Sequence, residues 1–176
     1  MKTKTELFLP FILTAIVVLL DQLTKMLIVN IADGNMVIAS LFGDFLRIIL
    51  VYNKGAAFSF GANFAPILNF VVLKILPLTL ILGFFPIYFR VNFTRFERWL
   101  IAAVIGGGVG NLIDRFFRSE GVVDFIDVKF YGLLGFERWP TFNVADGVVV
   151  ISFSLLILYT FFKKNKSTLN EKDKNN

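Results

Sequence analysis

Four apolar segments, each long enough to cross a lipid bilayer, constrain this 176-residue chain more than any other feature of its sequence. A hydrocarbon core about 30 Å thick is crossed by roughly 20 apolar residues in a helix. The segments cover about 7–29, 67–89, 99–117 and 142–162. They predict an all-α membrane protein with four transmembrane helices, in which residues 1–163 form a single integral membrane domain.

The absence of two residue types narrows the chemistry that this chain can perform. It contains no Cys and no His, and 56% of its residues are hydrophobic. Cysteine nucleophiles and Ser-His-Asp triads are therefore excluded, and a zinc site would lack its usual ligands. We expect no metal and no cofactor, and acid–base chemistry is left to Asp, Glu, Lys or Tyr.

The placement of the basic residues predicts the orientation of the helices. The net charge is +5. The charges cluster at the ends of apolar runs, which is typical of a membrane protein and not of a protein that binds nucleic acid. Because Lys and Arg accumulate on the cytoplasmic side, both termini are expected there, together with a disordered basic tail at 164–176. The loops at about 30–66 and 118–141 are expected outside. The first segment continues into Asp21 with no small-residue cleavage site, so we expect a retained helix and not a cleaved signal peptide.

The two outer loops contain β-branched and aromatic runs that are typical of strands. These runs are about 36–39 and 46–52 in the first loop and about 122–128 in the second. They predict a small extracytoplasmic β-sheet on the outer membrane surface, and the second outer loop is expected to lie over the site.

Polar residues interrupt three of the four helices, where each ionisable group costs about 2.5–3.5 kcal/mol near the bilayer centre. Their spacing of three or four places them on one face of each helix, and the topology brings all of them close to the outer surface. Glycines within 106–110 would let the third helix approach a neighbour closely. Lys74 is expected in the inner half to the middle of the second helix, away from this layer, and has no assigned role. The layer contains Asp21 and Lys25 in the first helix, Asn111, Asp114 and Arg115 in the third, and Asn143 and Asp146 in the fourth.

This polar layer has two interpretations. The pairs Asp21–Lys25 and Asp114–Arg115 are equally consistent with ion pairs that only hold the helices together. Asp146 differs, because no basic residue lies within a turn of it on the fourth helix, and this favours a role in proton transfer.

The carboxylates permit an aspartic dyad. In such a pair, one carboxylate takes a proton from a water and the other, protonated, polarises the scissile carbonyl. Asp146 is one candidate, and the second comes from Asp114, Asp124 or Asp127. The residues favour Asp124 or Asp127, since Asp114 has Arg115 beside it, but they do not choose between those two.

Three other hypotheses compete with the dyad. A Ser-Lys pair would use Ser59 with Lys25 or Lys54, although nothing beyond the residue types supports it. Buried Asp, Lys and Arg also mark ion paths, so a small polar-lined membrane transporter is an alternative, but the polar layer does not continue to the cytoplasmic face. A non-catalytic membrane scaffold is the remaining one.

Five motifs resemble, in order, those of bacterial lipoprotein signal peptidase, also called signal peptidase II. Each motif is weak alone, but their order on a four-helix chain of this size is specific. The motifs are Asp21–Lys25 (DQLTK), Asn53–Ser59 (NKGAAFS), Gly107–Arg115 (GGVGNLIDR), Val123–Phe125 (VDF) and Phe142–Asp146 (FNVAD).

The resemblance implies an aspartic endopeptidase with Asp124 and Asp146 as its catalytic dyad. It implies a substrate, a prolipoprotein whose Cys carries diacylglycerol, and removal of the signal peptide by a cut just before that Cys. It further implies a place among the lipids of the bacterial cytoplasmic (inner) membrane and inhibition by globomycin, a cyclic peptide antibiotic. The residues that it implies as lining or supporting the site are Asp21, Lys25, Asn53, Asn111, Asp114, Arg115 and Asn143.

Overall fold

The computed structural model describes residues 3–32, 37–56 and 60–174. Within these residues, four helical spans are long and apolar enough to cross a membrane: Lys4–Ile31, Pro66–Arg90, Arg95–Phe117 and Val144–Lys163. Each coincides with one apolar segment of the sequence, so the predicted four-helix architecture is confirmed. Met36 and the motif residues 57–59, which include Ser59, lie outside the described residues.

Two strands lie between the first and second spans, and the third strand lies in the loop between the last two spans. In chain order the elements are α1 (Lys4–Phe8), α2 (Phe11–Ile31), β1 (Val37–Leu41), β2 (Leu46–Asn53), α3 (Pro66–Phe70), α4 (Leu76–Arg90), α5 (Arg95–Phe117), β3 (Val122–Val128) and α6 (Val144–Lys174).

The second span is not a uniform α-helix. A π-helical segment, Val71–Ile75, joins α3 to α4. It ends two residues before Pro77. The proline ring has no N–H and crowds the preceding turn, so a widened turn there is physically reasonable. This segment carries Lys74, which lines a cavity together with Asn53 and Arg115. The sequence prediction for Lys74 was therefore wrong: this residue lies at the sheet-side end of the span, next to the polar layer.

The last helix is longer than the sequence predicted. It continues to Lys174, where a disordered tail was expected from residue 164. After Gly147 the chain contains no Gly or Pro, so nothing in its backbone chemistry stops the helix.

The strands of the two outer loops pair in one antiparallel sheet with the order β1-β2-β3. The predicted small sheet is confirmed. β3 pairs with β2 so that Asp124 lies opposite Val51 and Asp127 lies opposite Arg47. The backbone N–H groups of Phe125 and Ile126 both donate to the carbonyl of Phe142. The sheet is thereby held against the start of α6.

Helix α5 is the central helix of the bundle. Most of its membrane span is buried, whereas the other three spans expose most of their apolar residues, as expected for surfaces that face lipid. Glycines make this packing possible: a Cβ on Gly107 would lie 2.6 Å from the Ala145 carbonyl oxygen, and one on Gly106 would lie 2.9 Å from the Cβ of Val17. The predicted close approach of the third helix is confirmed, and it involves both α2 and α6.

Candidate active site

The polar residues of three helices lie together at the sheet-side end of the bundle. Direct hydrogen bonds or ion pairs join α2 to α5, α5 to α6 and α6 to β3. The side chains are almost completely withdrawn from the surface: Asp21, Lys25, Asp114, Asp124, Asn143 and Asn111 are at most 8% exposed. The predicted convergence of the three helices on one layer is therefore observed.

Lys25 is the centre of this layer. Its Nζ lies 2.8 Å from Asp21 Oδ2 and 3.0 Å from Asp114 Oδ2, and it donates to Asn111 Oδ1 at 3.0 Å. An ammonium group has three protons to donate, so these three partners account for all of them. Lys25 is thus a fully paired cation and has no lone pair to act as the base that a Ser-Lys dyad would require.

Asp114 forms ion pairs and hydrogen bonds with residues that the sequence did not indicate. It pairs with Lys25 and with Arg118, whose Nε lies 3.1 Å away, and it accepts from the backbone N–H of Val123 at 3.1 Å. Gln22 adds a further donor at 3.2 Å. The expected ion pair with its neighbour Arg115 does not form, because adjacent helical residues point in different directions.

Arg115 instead faces the loop and the carboxylate pair. Its guanidinium donates to the carbonyl of Gly55 at 3.2 Å, and it is close enough to Asp146 and Asp124 for Coulombic attraction. Its Nε is buried and has no hydrogen-bond partner among the described residues. This side chain therefore links the loop after β2 to the acidic site.

Two asparagines connect Asp124 to Asp146. Asn143 Nδ2 donates to Asp124 Oδ1 at 2.7 Å and to Asn111 Oδ1 at 3.0 Å. Asn111 Nδ2 in turn donates to Asp146 Oδ1 at 2.7 Å, and Asn53 Nδ2 donates to Asp124 Oδ2 at 3.0 Å. The two carboxylates are held by the same small network from opposite sides.

Local chain geometry explains the position of Asp146. Its backbone N–H donates to Asn143 Oδ1 at 2.9 Å, and its own carboxylate accepts from the backbone N–H of Asn143 at 3.3 Å. This reciprocal pair is a capping box at the start of α6. The cap fixes the position of the Asp146 side chain at the N-terminal end of the helix. The neighbouring N–H of Ala145 is taken by Asp21 Oδ1 at 3.0 Å.

The environment of Asp124 favours its protonated form. Burial, followed by the negative charge of Asp146, raises the pKa of Asp124 from the ordinary 3.8 to about 7, although the hydrogen bonds from Asn53 and Asn143 oppose the rise. A carboxyl that is half protonated near neutral pH, beside one at a helix N-terminus, is the asymmetry that general acid–base catalysis uses.

Asp127, the other candidate on β3, belongs to a different cluster. Arg138 Nε donates to both of its carboxylate oxygens, at 2.7 Å and 2.8 Å, and Arg47 Nη2 lies 2.6 Å from Asp127 Oδ2. Successive residues of a strand point to opposite faces, so Asp124 and Asp127, which are three positions apart in β3, face opposite sides of the sheet. The cluster fastens the second outer loop to the sheet.

Comparisons with solved structures define the class of protein. The fold matches a bacterial membrane enzyme solved by the in meso method at 2.3 Å, with a TM-score of 0.69, 26% sequence identity and 90% of each chain covered. A second such structure, at 1.9 Å, gives a TM-score of 0.68 at 26% identity and covers 86% of this chain and 91% of that one. The fold is therefore that of a membrane enzyme, and in this chain it holds a network of buried carboxylates at the sheet-side end of the helices.

Sequence comparisons then identify the family. The family model described as signal peptidase (SPase) II matches residues 13–162. The lipoprotein signal peptidase of Treponema denticola is 53% identical over 85% of this chain and 87% of its own length, and that of Treponema pallidum is 45% identical over 94% and 89%. The chain belongs to the signal peptidase II family, so the peptidase interpretation is confirmed over the transporter and the scaffold.

Proposed function

We propose that this chain is a membrane-embedded aspartic endopeptidase that removes the signal peptide from diacylglyceryl-modified prolipoproteins, cutting just before the lipidated Cys. Asp124 and Asp146 are its catalytic dyad. The observation that carries the proposal is their shared hydrogen-bond network through Asn111 and Asn143, at the end of the bundle where the membrane helices meet the sheet.

The two carboxylates have different roles in this mechanism. Asp146 is the ionised member and takes a proton from a water held between the pair, and the water oxygen attacks the scissile carbonyl. Asp124, protonated, donates a hydrogen bond to the carbonyl oxygen and stabilises the charge that develops there. Collapse of the tetrahedral intermediate breaks the C–N bond, and the amine leaves with the proton held by Asp146. The elevated pKa of Asp124, about 7, supports this assignment.

The remaining residues hold the dyad in place. Lys25 neutralises Asp21 and Asp114, and it also fixes the amide of Asn111 so that its Nδ2 points at Asp146. Because Asn111 Oδ1 already accepts from Lys25 and Asn143, the orientation of the amide is determined. Such preorganised donors keep the reacting groups in a geometry that needs little rearrangement.

Asn53 and Arg115 couple the first outer loop to the same site. Asn53 donates to Asp124 and, at 3.3 Å, to the carbonyl of Ala56, and Arg115 binds the carbonyl of Gly55. These contacts support a role in forming one wall of the substrate site.

The site is suited to a lipid-anchored substrate. A diacylglyceryl group confined to the membrane delivers the adjacent peptide bond at a fixed depth, which reduces the entropy lost on binding. The loop between β3 and α6 carries a cluster of aromatic rings, with Trp139 within 5.0 Å of Phe130 and 5.8 Å of Phe136 between ring centroids. Aromatic residues favour the membrane interface, and this loop would close over the substrate.

The proposed membrane location and orientation rest on the distribution of the basic residues. We place the chain in the bacterial cytoplasmic (inner) membrane, with both termini in the cytoplasm and the dyad near the outer face, and we expect globomycin to occupy the substrate site. The excess of Lys and Arg on the terminal side supports this orientation.

The decisive experiment is cleavage of a diacylglyceryl-modified lipobox peptide by the purified protein. Wild type should cut before the lipidated Cys, and Asp124→Asn and Asp146→Asn should each lose at least about 10³-fold in rate, since Asp146 takes the proton of the attacking water and Asp124 supplies the acidic donor to the carbonyl oxygen. Asp44→Asn is the matched control, because Asp44 is an exposed carboxylate in the turn between β1 and β2. Near-normal activity in either dyad variant would assign that carboxylate a structural role and direct the search to Asp114 or Asp127.

A further inference from the structure

A cavity of about 190 Å³ opens beside the candidate active site, between the π-helical segment of the second span, the end of α5 and the loop after β2. Four of its lining residues are cationic, and none of the described residues that line it is acidic. They are Lys54, Lys74, Arg115 and Arg118. A water occupies roughly 30 Å³ of liquid, so the cavity has room for a tetrahedral oxyanion and some water.

Two of these four cations, Lys54 and Lys74, have no ion-pair partner in the described part of the chain. Arg118, by contrast, pairs with Asp114. Lys74 Nζ instead lies over aromatic rings, 5.7 Å from the centroid of Phe70 and 5.6 Å from that of Phe116. An ammonium group on a membrane-spanning helix is costly unless it has a counter-charge.

A second, independent observation points to a ligand here. Arg115 lines the cavity, and its Nε–H is buried without a hydrogen-bond partner among the described residues. Leaving a buried charged donor unsatisfied costs at least about 1–3 kcal/mol. An anion in the cavity would be attracted by the charge of this guanidinium as well as by the ammonium groups.

The position of the cavity indicates where the anion comes from. Lys74 lies near the sheet-side end of a membrane span, and the residues before it expose apolar side chains, with Ile67 81% and Phe70 46% exposed. A phospholipid at this place would have its phosphate at the level of the cavity and its acyl chains along the exposed helix. An acidic peptide segment would gain nothing from that apolar face.

We propose that this cavity binds the phosphate group of a membrane phospholipid through Lys54, Lys74 and Arg115. The site is separate from the peptide-cleaving dyad, and the proposal does not depend on the reaction. The two are adjacent, however, since Asn53 lines the cavity and also donates to Asp124. A bound phospholipid would thus form part of the wall of the active site.

The test measures binding and not activity. Native mass spectrometry of the purified protein in neutral detergent would quantify bound phosphatidylglycerol, alongside diacylglycerol with the same acyl chains. We expect Lys74→Gln and Lys54→Gln each to bind phosphatidylglycerol about fivefold more weakly, the effect of one basic residue near a membrane surface, and Lys74→Arg to restore binding. Arg90→Gln is the matched control, because Arg90 is an exposed cation at the other end of the same span. It should leave binding unchanged.

Each outcome bears on the proposal. Equal phosphatidylglycerol binding by wild type and both Lys variants would overturn it, and so would an equal loss of diacylglycerol binding, which would mean that the substitutions act on the acyl contacts. If inorganic phosphate alone binds as tightly as the lipid, and Lys74→Gln weakens it equally, the ligand is free phosphate and the lipid assignment fails. Binding of a tri-glutamate peptide in place of the lipid would assign the cavity to a peptide. Matching circular dichroism spectra would establish that the variants are folded.

Discussion

Replacing Asp124 by Asn should make the protein more stable at alkaline pH while removing its activity. The side chain is 2% exposed, and its pKa is raised from 3.8 to about 7 by burial first and by Asp146 second. The folded protein therefore binds a proton at Asp124 that the unfolded chain has already released. Stability from this group is fully present below pH 3.8 and is lost as the pH rises through about 7.

The magnitude follows from the size of the shift. At 1.36 kcal/mol per pKa unit, the change from 3.8 to about 7 is worth roughly 4 kcal/mol. Asparagine also forfeits one hydrogen bond, because Asn53 and Asn143 both donate to the carboxylate and an amide has one oxygen to accept them. That loss costs about 1–3 kcal/mol at every pH. The net expectation is a gain of about 1–3 kcal/mol at pH 8 and a loss of similar size at pH 4.

Thermal unfolding in detergent between pH 4 and pH 8 measures this directly. For a chain of this size each kcal/mol moves Tm by about 2–4 °C, so the Tm difference between variant and wild type should change sign across the range. The control is Asp44→Asn: the hydrogen bond from Lys129 lowers the pKa of Asp44, so stability from Asp44 is present above 3.8 and is lost only at lower pH. A Tm difference for Asp124→Asn that stays constant from pH 4 to pH 8 would refute the reasoning.

Three further predictions concern the same layer. Lys25→Met leaves the buried Asp21 without its cation and Asp114 with Arg118 alone, and it should destabilise the fold by about 3–5 kcal/mol, measured as a lower Tm. An unchanged Tm would mean that the carboxylates are neutral. Gly110→Ala places a Cβ 2.7 Å from Asp21 Oδ2 and should lower both Tm and activity. Its control, Gly83→Ala, meets no atom within 4 Å and should gain about 0.5–1 kcal/mol, so equal effects would contradict the packing argument. Finally, kcat/KM for the lipobox peptide should fall as the pH rises through about 7, because the dyad of the free enzyme loses its shared proton. A value of kcat/KM that still rises at pH 9 would exclude this assignment.

The positions of the membrane spans could be predicted from the sequence because they depend on local properties. A run of about 20 apolar residues has few alternatives to a spanning helix. Helical spacing also placed Asn111 and Asp114 on one face of α5, and the β-branched runs predicted the strands. These features depend on the local sequence and on whether lipid or water surrounds it.

Which polar groups meet depended on the tertiary structure. The choice between Asp124 and Asp127 rests on the register of β3 against β2, because that register turns one carboxylate toward the helices and the other toward Arg47. Single-sequence spacing left both open, and the family resemblance alone favoured Asp124. Nothing in the linear sequence of β3 indicates its register against β2.

The partners of Asp114 also could not be predicted from the sequence. Its neighbour Arg115 was expected to neutralise it, but Lys25 and Arg118 do so. Gln22 was missed as a further donor, although its place within a polar motif of the first helix was a usable signal. The sequence by itself determined that the chain crosses a membrane four times and carries charge at the ends of its helices. Only the packing of α2, α5 and α6 around the glycines of α5 decided which charges neutralise each other and which two carboxylates are held in one hydrogen-bond network, because ion pairing depends on distances that arise only after the helices have packed.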